Sequence, residues 1–257
     1  MLKITVVNRA PHLPEAELRR VIRAINRQMA EHFEPAWKFG AELHLHAQDS
    51  ADSHGGHVSL AELPGLHGDA VIYIGDKATL AGAEGYHGRN NADKPFGFVF
   101  LDICRQLKDN WTVCLSHEVI ELAGDPMSNL LVQGPSPHDR HQLVFHMFEL
   151  CDAVQGESYE IDGVQVSNFV LPGWFTRGDA PGARNDFLGR PQRGETLPSF
   201  GIAPGGYLCF WDGERDERDR WVSMMRSEDD ADARRRLEAK RRATLARVAR
   251  RCHPHAR

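Results

Sequence analysis

One stretch of the chain, residues 115–126, combines an apolar helix with side chains of the kinds that bind metal ions. Its sequence is Leu-Ser-His-Glu-Val-Ile-Glu-Leu-Ala-Gly-Asp-Pro. His117 and Glu121 are four residues apart, so a helix brings them to one face. Gly124, followed by an Asp-Pro pair, is a typical helix end. Burying unpaired charge is unfavourable, so an apolar helix carrying an imidazole and two carboxylates requires a cation or compensating hydrogen bonds.

The spacing of these residues suggests a catalytic metal site. In HExxH metallopeptidases the first and last residues of the motif bind zinc, and the Glu between them is the general base for metal-bound water. By that pattern His117 and Glu121 are metal ligands and Glu118 is the general base, although the last residue here is Glu. The sequence therefore predicts one divalent metal, most simply zinc, with manganese or iron as alternatives because both accept oxygen ligands. The alternative without function is that the motif arises by chance and His117 is a hydrogen-bonded core residue.

The sequence beyond the motif helix offers candidates for a third metal ligand. A helical pattern over residues 140–154 carries Glu149 and Asp152, three residues apart and hence on one face. Glu149 is the predicted third ligand, and Asp152 is predicted to accept the second ring N–H of His117. Asp125, just beyond the motif helix, is the rival third ligand. The alternative is that Glu149 and Asp152 form a solvated polar face.

Length and composition set the class of protein. The chain has 257 residues, 41% of them hydrophobic, which is enough to bury one large core. No apolar run approaches ~18 residues, and the N-terminus lacks a signal-peptide pattern, so we expect a soluble protein without a membrane partner. Five cysteines without a CxxC motif argue against a disulfide framework and favour the cytoplasm. The net charge of -5 does not favour nucleic-acid binding.

The order of predicted elements indicates an α+β fold. Strand-like and helical patterns alternate before the motif helix, in the order strand, helix, strand, strand, strand. Gly- and Asn-rich residues 86–93 and polar residues 48–57 are predicted as surface loops. The predicted strands are 2–7, 41–46, 70–74 and 96–101, and the predicted helix begins at residues 14–15.

Residues after the second helical pattern indicate further β structure. An Asp162-Gly163 turn predicts a hairpin over residues 158–170, and a last strand is predicted at 205–211. Between them, residues 176–198 are predicted as a long loop. Tyr86, Tyr159 and Tyr207 are candidates for a hydroxyl that stabilises an oxyanion, although each alone is typical of a packing residue.

From residue 213 the composition changes abruptly to charged residues, with many arginines and few large apolar side chains. This composition predicts a partly helical or disordered tail over 213–257, following a domain over 1–212. No aromatic residues interleave with the arginines from Arg234 onward, so the tail is expected to contact nucleic acid only weakly.

Several motifs together resemble a known family. Residues 116–121 with Asp125-Pro126, then Glu-Leu-Cys-Asp at 149–152, then Val-Ser-Asn-Phe-Val-Leu-Pro at 166–172, are similar to an uncharacterised family of bacterial and phage proteins regarded as zincin-like metallopeptidases. Phe-Glu-Pro-Ala-Trp at 33–37 and Gly-Tyr-His at 85–87 extend the similarity over most of residues 1–212. The resemblance implies a zincin-like mixed sheet with an active-site helix and a second helix. It also implies an edge strand, assigned to 96–101, that can pair with an extended peptide.

Three functions remain open from the sequence. The first is a metal-dependent hydrolase, metallopeptidase-like, that acts on a peptide or small amide substrate. The second is a non-catalytic metal-binding or interaction protein on the same fold. The third is a carboxylate-bridged di-iron oxygenase using Glu118, Glu121, His146 and Glu149, which the strand-rich N-terminal half disfavours because such sites usually need four helices.

Overall fold

The computed structural model describes residues 1–46, 68–77, 83–90, 93–180, 182–191, 196–216, 220–226, 234–235 and 238. The chain is an α+β protein with a mixed sheet. Its helices are α1 (Glu15–Arg27), which continues as a π-helical turn (Gln28–Phe33), α2 (Glu34–Trp37), α3 (Leu101–Gln106) and α4 (Trp111–Gly124). Its strands are β1 (Leu2–Asn8), β2 (Ala41–Leu45), β3 (Ala70–Gly75), β4 (Gly85–Arg89), β5 (Pro95–Phe100), β6 (Leu131–Pro135), β7 (Leu143–Met147), β8 (Ser158–Ile161), β9 (Val164–Ser167), β10 (Tyr207–Trp211) and β11 (Trp221–Met225).

The first sheet has five strands in the order β2-β1-β3-β5-β4. Strands β1, β2, β3 and β5 are parallel, whereas β4 runs antiparallel to β5. Strand β3 is almost continuously apolar and β1 is buried without a break from Ile4 to Val7, because parallel strands are covered on both faces. Helix α4 packs against β4, β5 and β9, so the motif helix lies beside the antiparallel edge of this sheet.

The edge of the sheet differs from the sequence prediction. Residues 96–101 were expected to form the edge strand, but β5 lies between β3 and β4. The edge is β4, which occupies the first half of the segment predicted as a surface loop. Two glycines in a five-residue strand give it a loop-like composition, which hid the strand from pattern analysis. The predicted loop at 48–57 lies outside the described residues.

The predicted helix over residues 140–154 is wrong. This segment forms β7, a turn, and a short 3₁₀ helix at Asp152–Val154. Along β7 the side chains of Leu143, Val144, Phe145 and His146 alternate between exposed and buried, which is the period of a strand. Aromatic and β-branched residues favour that conformation, and pairing with β6 and β10 stabilises it.

Strands β6, β7, β10 and β11 form a second, antiparallel sheet, and β8 and β9 form the hairpin predicted around Asp162-Gly163. Strand β10 confirms the predicted last strand, but β11 pairs with it in addition. Paired structure therefore continues beyond residue 212, where the sequence placed the domain boundary. Most of the charged tail lies outside the described residues. Among the described residues there is no helix long and apolar enough to cross a membrane.

Candidate metal centre

The motif helix α4 is held at its first turn by two side chains. The Asn110 side chain accepts a hydrogen bond from the Thr112 amide at 3.0 Å, which satisfies one of the helix's unpaired N–H groups. The Thr112 hydroxyl donates to the Gln165 carbonyl in β9 at 2.6 Å. Every residue from Thr112 to Ala123 is buried, so this helix belongs to the core throughout.

A buried hydrogen-bond network fixes the rotation of α4 about its axis. Ser116 donates to the side-chain oxygen of Gln28 at 2.7 Å and accepts from the Ser167 amide at 3.0 Å. The Gln28 amide nitrogen in turn donates to the Ser167 carbonyl at 2.8 Å. Gln28 lies in the π-helical turn that follows α1 and Ser167 lies in β9, so two neighbouring elements hold Ser116 in one orientation. The direction of the adjacent His117 is thereby defined.

His117 and Glu121 are in direct contact, as the four-residue spacing predicts. His117 Nε2 lies 3.1 Å from Glu121 Oε1 and 3.3 Å from Asp152 Oδ1. The Cys151 amide donates to Glu121 Oε1 at 3.3 Å. Asp152 thus lies beside the nitrogen that faces Glu121, whereas the sequence prediction assigned it to the other ring nitrogen of His117.

His87, on β4, is a member of this centre that sequence reasoning missed. Its Nδ1 lies 3.3 Å from Glu118 Oε2 and 3.5 Å from Glu121 Oε2, and its Nε2 lies 3.6 Å from Glu149 Oε2. The side chain is fully buried. The one sequence signal for His87 was its position in the Gly-Tyr-His segment that resembles the family.

A glycine allows β4 to approach the motif helix closely. A Cβ atom on Gly85 would lie 2.8 Å from Cys114 Sγ and 2.9 Å from Glu118 Oε1. Both distances are shorter than non-bonded carbon contacts permit, so a larger residue would displace β4 from α4. Gly124 has a similar role at the helix end, where a Cβ would lie 2.6 Å from Leu150 Cδ1. The requirement at Gly124 is therefore close packing.

The centre combines two imidazoles with four buried carboxylates, those of Glu118, Glu121, Glu149 and Asp152. Burial and the charge of Glu121 raise the pKa of Asp152, although His117 and the Tyr207 hydroxyl hydrogen-bond to it. Burial alone would lower the pKa of His117, but the Glu121 charge and the Asp152 hydrogen bond raise it well above its usual value. The shift at His117 reflects the negative charge around it, whereas burial is the larger cause at Asp152.

Two groups of three side chains have the proximity of metal ligands. One comprises His117, Glu121 and Cys151, and the other comprises His87, Glu118 and Glu121, with the ligand atoms of each group within 4.8 Å of one another. Burial and the Glu121 carboxylate raise the pKa of the Cys151 thiol well above its usual range. Metals bind the thiolate, so a cation at Cys151 would have to displace the thiol proton.

Three of the six side chains of the centre keep a small exposure to solvent. The side chains of His117, Glu118 and Glu149 are 9%, 7% and 6% exposed. Those of His87, Glu121 and Asp152 are 2% exposed or less. The predicted base, Glu118, is thus among the members nearest to water.

Asp125 and His146 have other roles. The Asp125 carboxylate accepts a hydrogen bond from the Leu130 amide at 2.7 Å and stabilises the turn after α4. His146 Nε2 donates to the Pro135 carbonyl at 2.9 Å, and its ring packs against Phe200 and Phe210. The described residues also contain two long helices, α1 and α4, instead of the four of di-iron carboxylate proteins. The geometry therefore disfavours an oxygenase site that includes His146.

Two of the tyrosines considered for oxyanion stabilisation contact residues outside the centre. The Tyr159 hydroxyl accepts from Gln28 at 3.1 Å, and Tyr86 packs against phenylalanines of β5. The Tyr207 hydroxyl contacts the centre itself through Asp152.

No protein-family model, curated protein or solved structure matches this chain. The resemblance to zincin-like metallopeptidases stays a prediction from the motifs. The evidence for function is the chemistry of the residues in the centre.

Proposed function

We propose that this chain is a metal-dependent hydrolase of zincin-like fold that acts on a peptide or small amide substrate. His117 and Glu121 hold one divalent cation, and Glu118 is the general base. The observation that carries the proposal is the 3.1 Å approach of His117 Nε2 to Glu121 Oε1 inside a buried cluster of carboxylates. Zinc, manganese and iron all suit imidazole and carboxylate donors.

Distances and charge both support a cation at this position. In a tetrahedral zinc site, metal–ligand bonds of about 2.0–2.1 Å separate neighbouring donor atoms by about 3.3–3.4 Å. The two contacts of His117 Nε2, at 3.1 and 3.3 Å, have that length. Four carboxylates against two imidazoles leave negative charge uncompensated when all are ionised, and such charge is costly to bury without a cation.

The contacts support Asp152 as the third ligand. Asp152 Oδ1 adjoins the same His117 nitrogen as Glu121 does, whereas Glu149 Oε2 adjoins His87. The predicted roles of Asp152 and Glu149 are therefore exchanged in this proposal. Asp125 is set aside as a ligand because its carboxylate is engaged by the Leu130 amide.

The chemistry follows from the positions of the protein groups. A cation in such a site polarises the substrate carbonyl and acidifies bound water. Glu118, whose side chain is 7% exposed, accepts the proton of the attacking water and delivers it to the leaving amine. Strand β4 is the sheet edge beside α4, and an extended peptide can add to such an edge through main-chain hydrogen bonds.

One observation favours a second candidate, a structural metal site in a non-catalytic binding protein. Each member of the centre is at most 9% exposed at its side chain, and structural metal sites are closed in this way. Catalytic sites keep one coordination position open to water or substrate.

Metal analysis combined with two variants separates the candidates. The purified full chain is analysed by inductively coupled plasma mass spectrometry and assayed on a peptide library. We expect His117→Ala to lose metal and to melt at a lower temperature, because a cation bound only by the folded state stabilises it. Glu118→Gln should keep the cation held by His117 and Glu121 and lose hydrolysis, while Glu160→Gln, at an exposed position, should change neither.

Three results contradict parts of the hydrolase proposal. Unchanged metal content in His117→Ala excludes His117 as a ligand. Metal binding without hydrolysis in the wild-type chain favours the structural site. Full hydrolysis in Glu118→Gln excludes Glu118 as the general base.

The third ligand is tested by the affinity for the first equivalent of zinc. Asp152→Asn should weaken it most, because a charged donor is lost. Glu149→Gln should cost at most about 10–100-fold, as for a residue that orients a ligand, and Asp125→Asn should have the smallest effect. If Glu149→Gln is the most damaging, the original assignment of Glu149 is restored. If Asp125→Asn is, the third ligand moves to the end of α4.

A further inference from the structure

His87 has no assigned part in the hydrolase proposed above, yet it is fully buried among three carboxylates. Both of its ring nitrogens face carboxylate oxygens, with Glu118 and Glu121 on the Nδ1 side and Glu149 on the Nε2 side. Gly85, two residues earlier on β4, permits the close approach that brings His87 to the motif helix. The burial of the His87 imidazole among three carboxylates therefore needs an explanation.

The Glu121 carboxylate connects the two histidines. Its Oε1 lies 3.1 Å from His117 Nε2, and its Oε2 lies 3.5 Å from His87 Nδ1. A carboxylate whose two oxygens face different imidazoles has the arrangement of a ligand that bridges two metal ions. Such ions are typically about 3.5–4 Å apart in hydrolytic two-metal sites.

The donors around His87 Nδ1 resemble those around His117 Nε2. Glu118 Oε2 and Glu121 Oε2 lie 3.3 and 3.5 Å from His87 Nδ1, close to the spacing of about 3.3–3.4 Å between ligands of one tetrahedral ion. The three donor atoms lie within 4.8 Å of one another. Each histidine thus has one imidazole nitrogen and two carboxylate oxygens at ligand distances.

We propose that the centre binds a second divalent cation, held by His87, Glu118 and Glu121, with Glu121 shared between the two cations. The first cation is the one of the proposed function, on which this inference rests. Glu149 is a positioning residue: with the cation at Nδ1 the His87 proton lies on Nε2, and Glu149 Oε2, 3.6 Å from Nε2, is the carboxylate oxygen on that side of the ring.

Charge balance supports two cations over one. The four carboxylates of Glu118, Glu121, Glu149 and Asp152 carry four negative charges when ionised, and two divalent cations neutralise them with both imidazoles neutral. A single divalent cation leaves two negative charges in a centre that is almost fully buried, which is unfavourable.

The second cation regulates the proposed hydrolase. Glu118 is the general base when only the first site is filled. Once Glu118 is a ligand of the second cation, its carboxylate no longer accepts the proton of the attacking water. Hydrolysis should therefore be highest near one bound cation per chain and fall as the second binds.

The test is a titration of the metal-stripped full chain with Mn²⁺. Native mass spectrometry counts the bound ions, and electron paramagnetic resonance detects coupling between them. We expect two Mn²⁺ per wild-type chain, with the isolated-ion signal lost through exchange coupling across Glu121. His87→Gln should bind one uncoupled Mn²⁺. His146→Gln, which removes a buried histidine outside the centre, should keep both ions.

Each outcome supports or refutes the second cation site. A wild-type chain that binds a single Mn²⁺, retained in His87→Gln, refutes the second site and leaves the proposed function intact. No bound Mn²⁺ or zinc refutes both. Two ions without coupling refute the sharing of Glu121. If His87→Gln is unfolded by circular dichroism, the wild-type count and coupling still give the answer.

Discussion

The buried histidine His146 should make the protein less stable in mild acid. Burial lowers the pKa of His146 from 6.5 to about 4, and the hydrogen bond to the Pro135 carbonyl only partly opposes this shift. Its Nε2 is the donor in that bond, so the second proton has to enter at Nδ1. Nδ1 has no hydrogen-bond partner within the described part of the chain, and the ring lies among aromatic side chains.

The sign follows from proton binding. As the pH falls below 6.5, the unfolded chain takes up a proton at this position while the folded chain does not until about pH 4. The free energy of unfolding therefore decreases through this window and levels off below it. A shift of this size corresponds to a loss of about 2–3 kcal/mol from pH ~7 to pH ~4.5.

Urea unfolding of wild type, His146→Gln and His141→Gln at both pH values measures this contribution. His141 is exposed, so its variant controls for the loss of a histidine as such. Groups other than His146 titrate equally in all three proteins and cancel in the comparison. His146→Gln should lose about 2–3 kcal/mol less on acidification than wild type and the control. Equal losses in all three would refute the assignment of a neutral, buried His146.

Two further predictions follow from packing and composition. Gly85→Ala inserts a methyl group 2.9 Å from Glu118 Oε1, so it should destabilise the fold by about 1–3 kcal/mol and weaken cation binding. In the control Gly75→Ala the added methyl group meets no atom within 4 Å, so neither stability nor cation binding should change. Equal behaviour of the two variants in thermal melts and zinc titrations would contradict the close approach of β4 to α4. Ending the chain after Ser227 removes a segment poor in large apolar residues and keeps β11. Calorimetry should therefore show a shift in thermal midpoint of at most a few degrees. A shift beyond about ten degrees would mean that the tail docks on the domain.

Sequence patterns predicted the elements whose signals are local. The apolar runs of β1, β3 and β5, the periodicity of α1 and the Asp-Gly turn between β8 and β9 all appear where expected. The strand at 143–147 was misjudged because spacing alone suggested a helical face for Glu149 and Asp152. Both carboxylates reach the centre by another route, through the turn and 3₁₀ helix that follow β7.

The sequence by itself determined that α4 is an apolar helix and that His117 and Glu121 share one of its faces, because helical geometry couples residues four apart. Only the tertiary structure brought His87 to Glu118, 31 residues along the chain. It also placed the Asp152 carboxylate beside His117 and the Glu149 carboxylate beside His87. Those contacts depend on how closely β4 packs on α4 and on where the chain turns after β7. Such distances arise from packing between elements, and no periodicity within one segment encodes them.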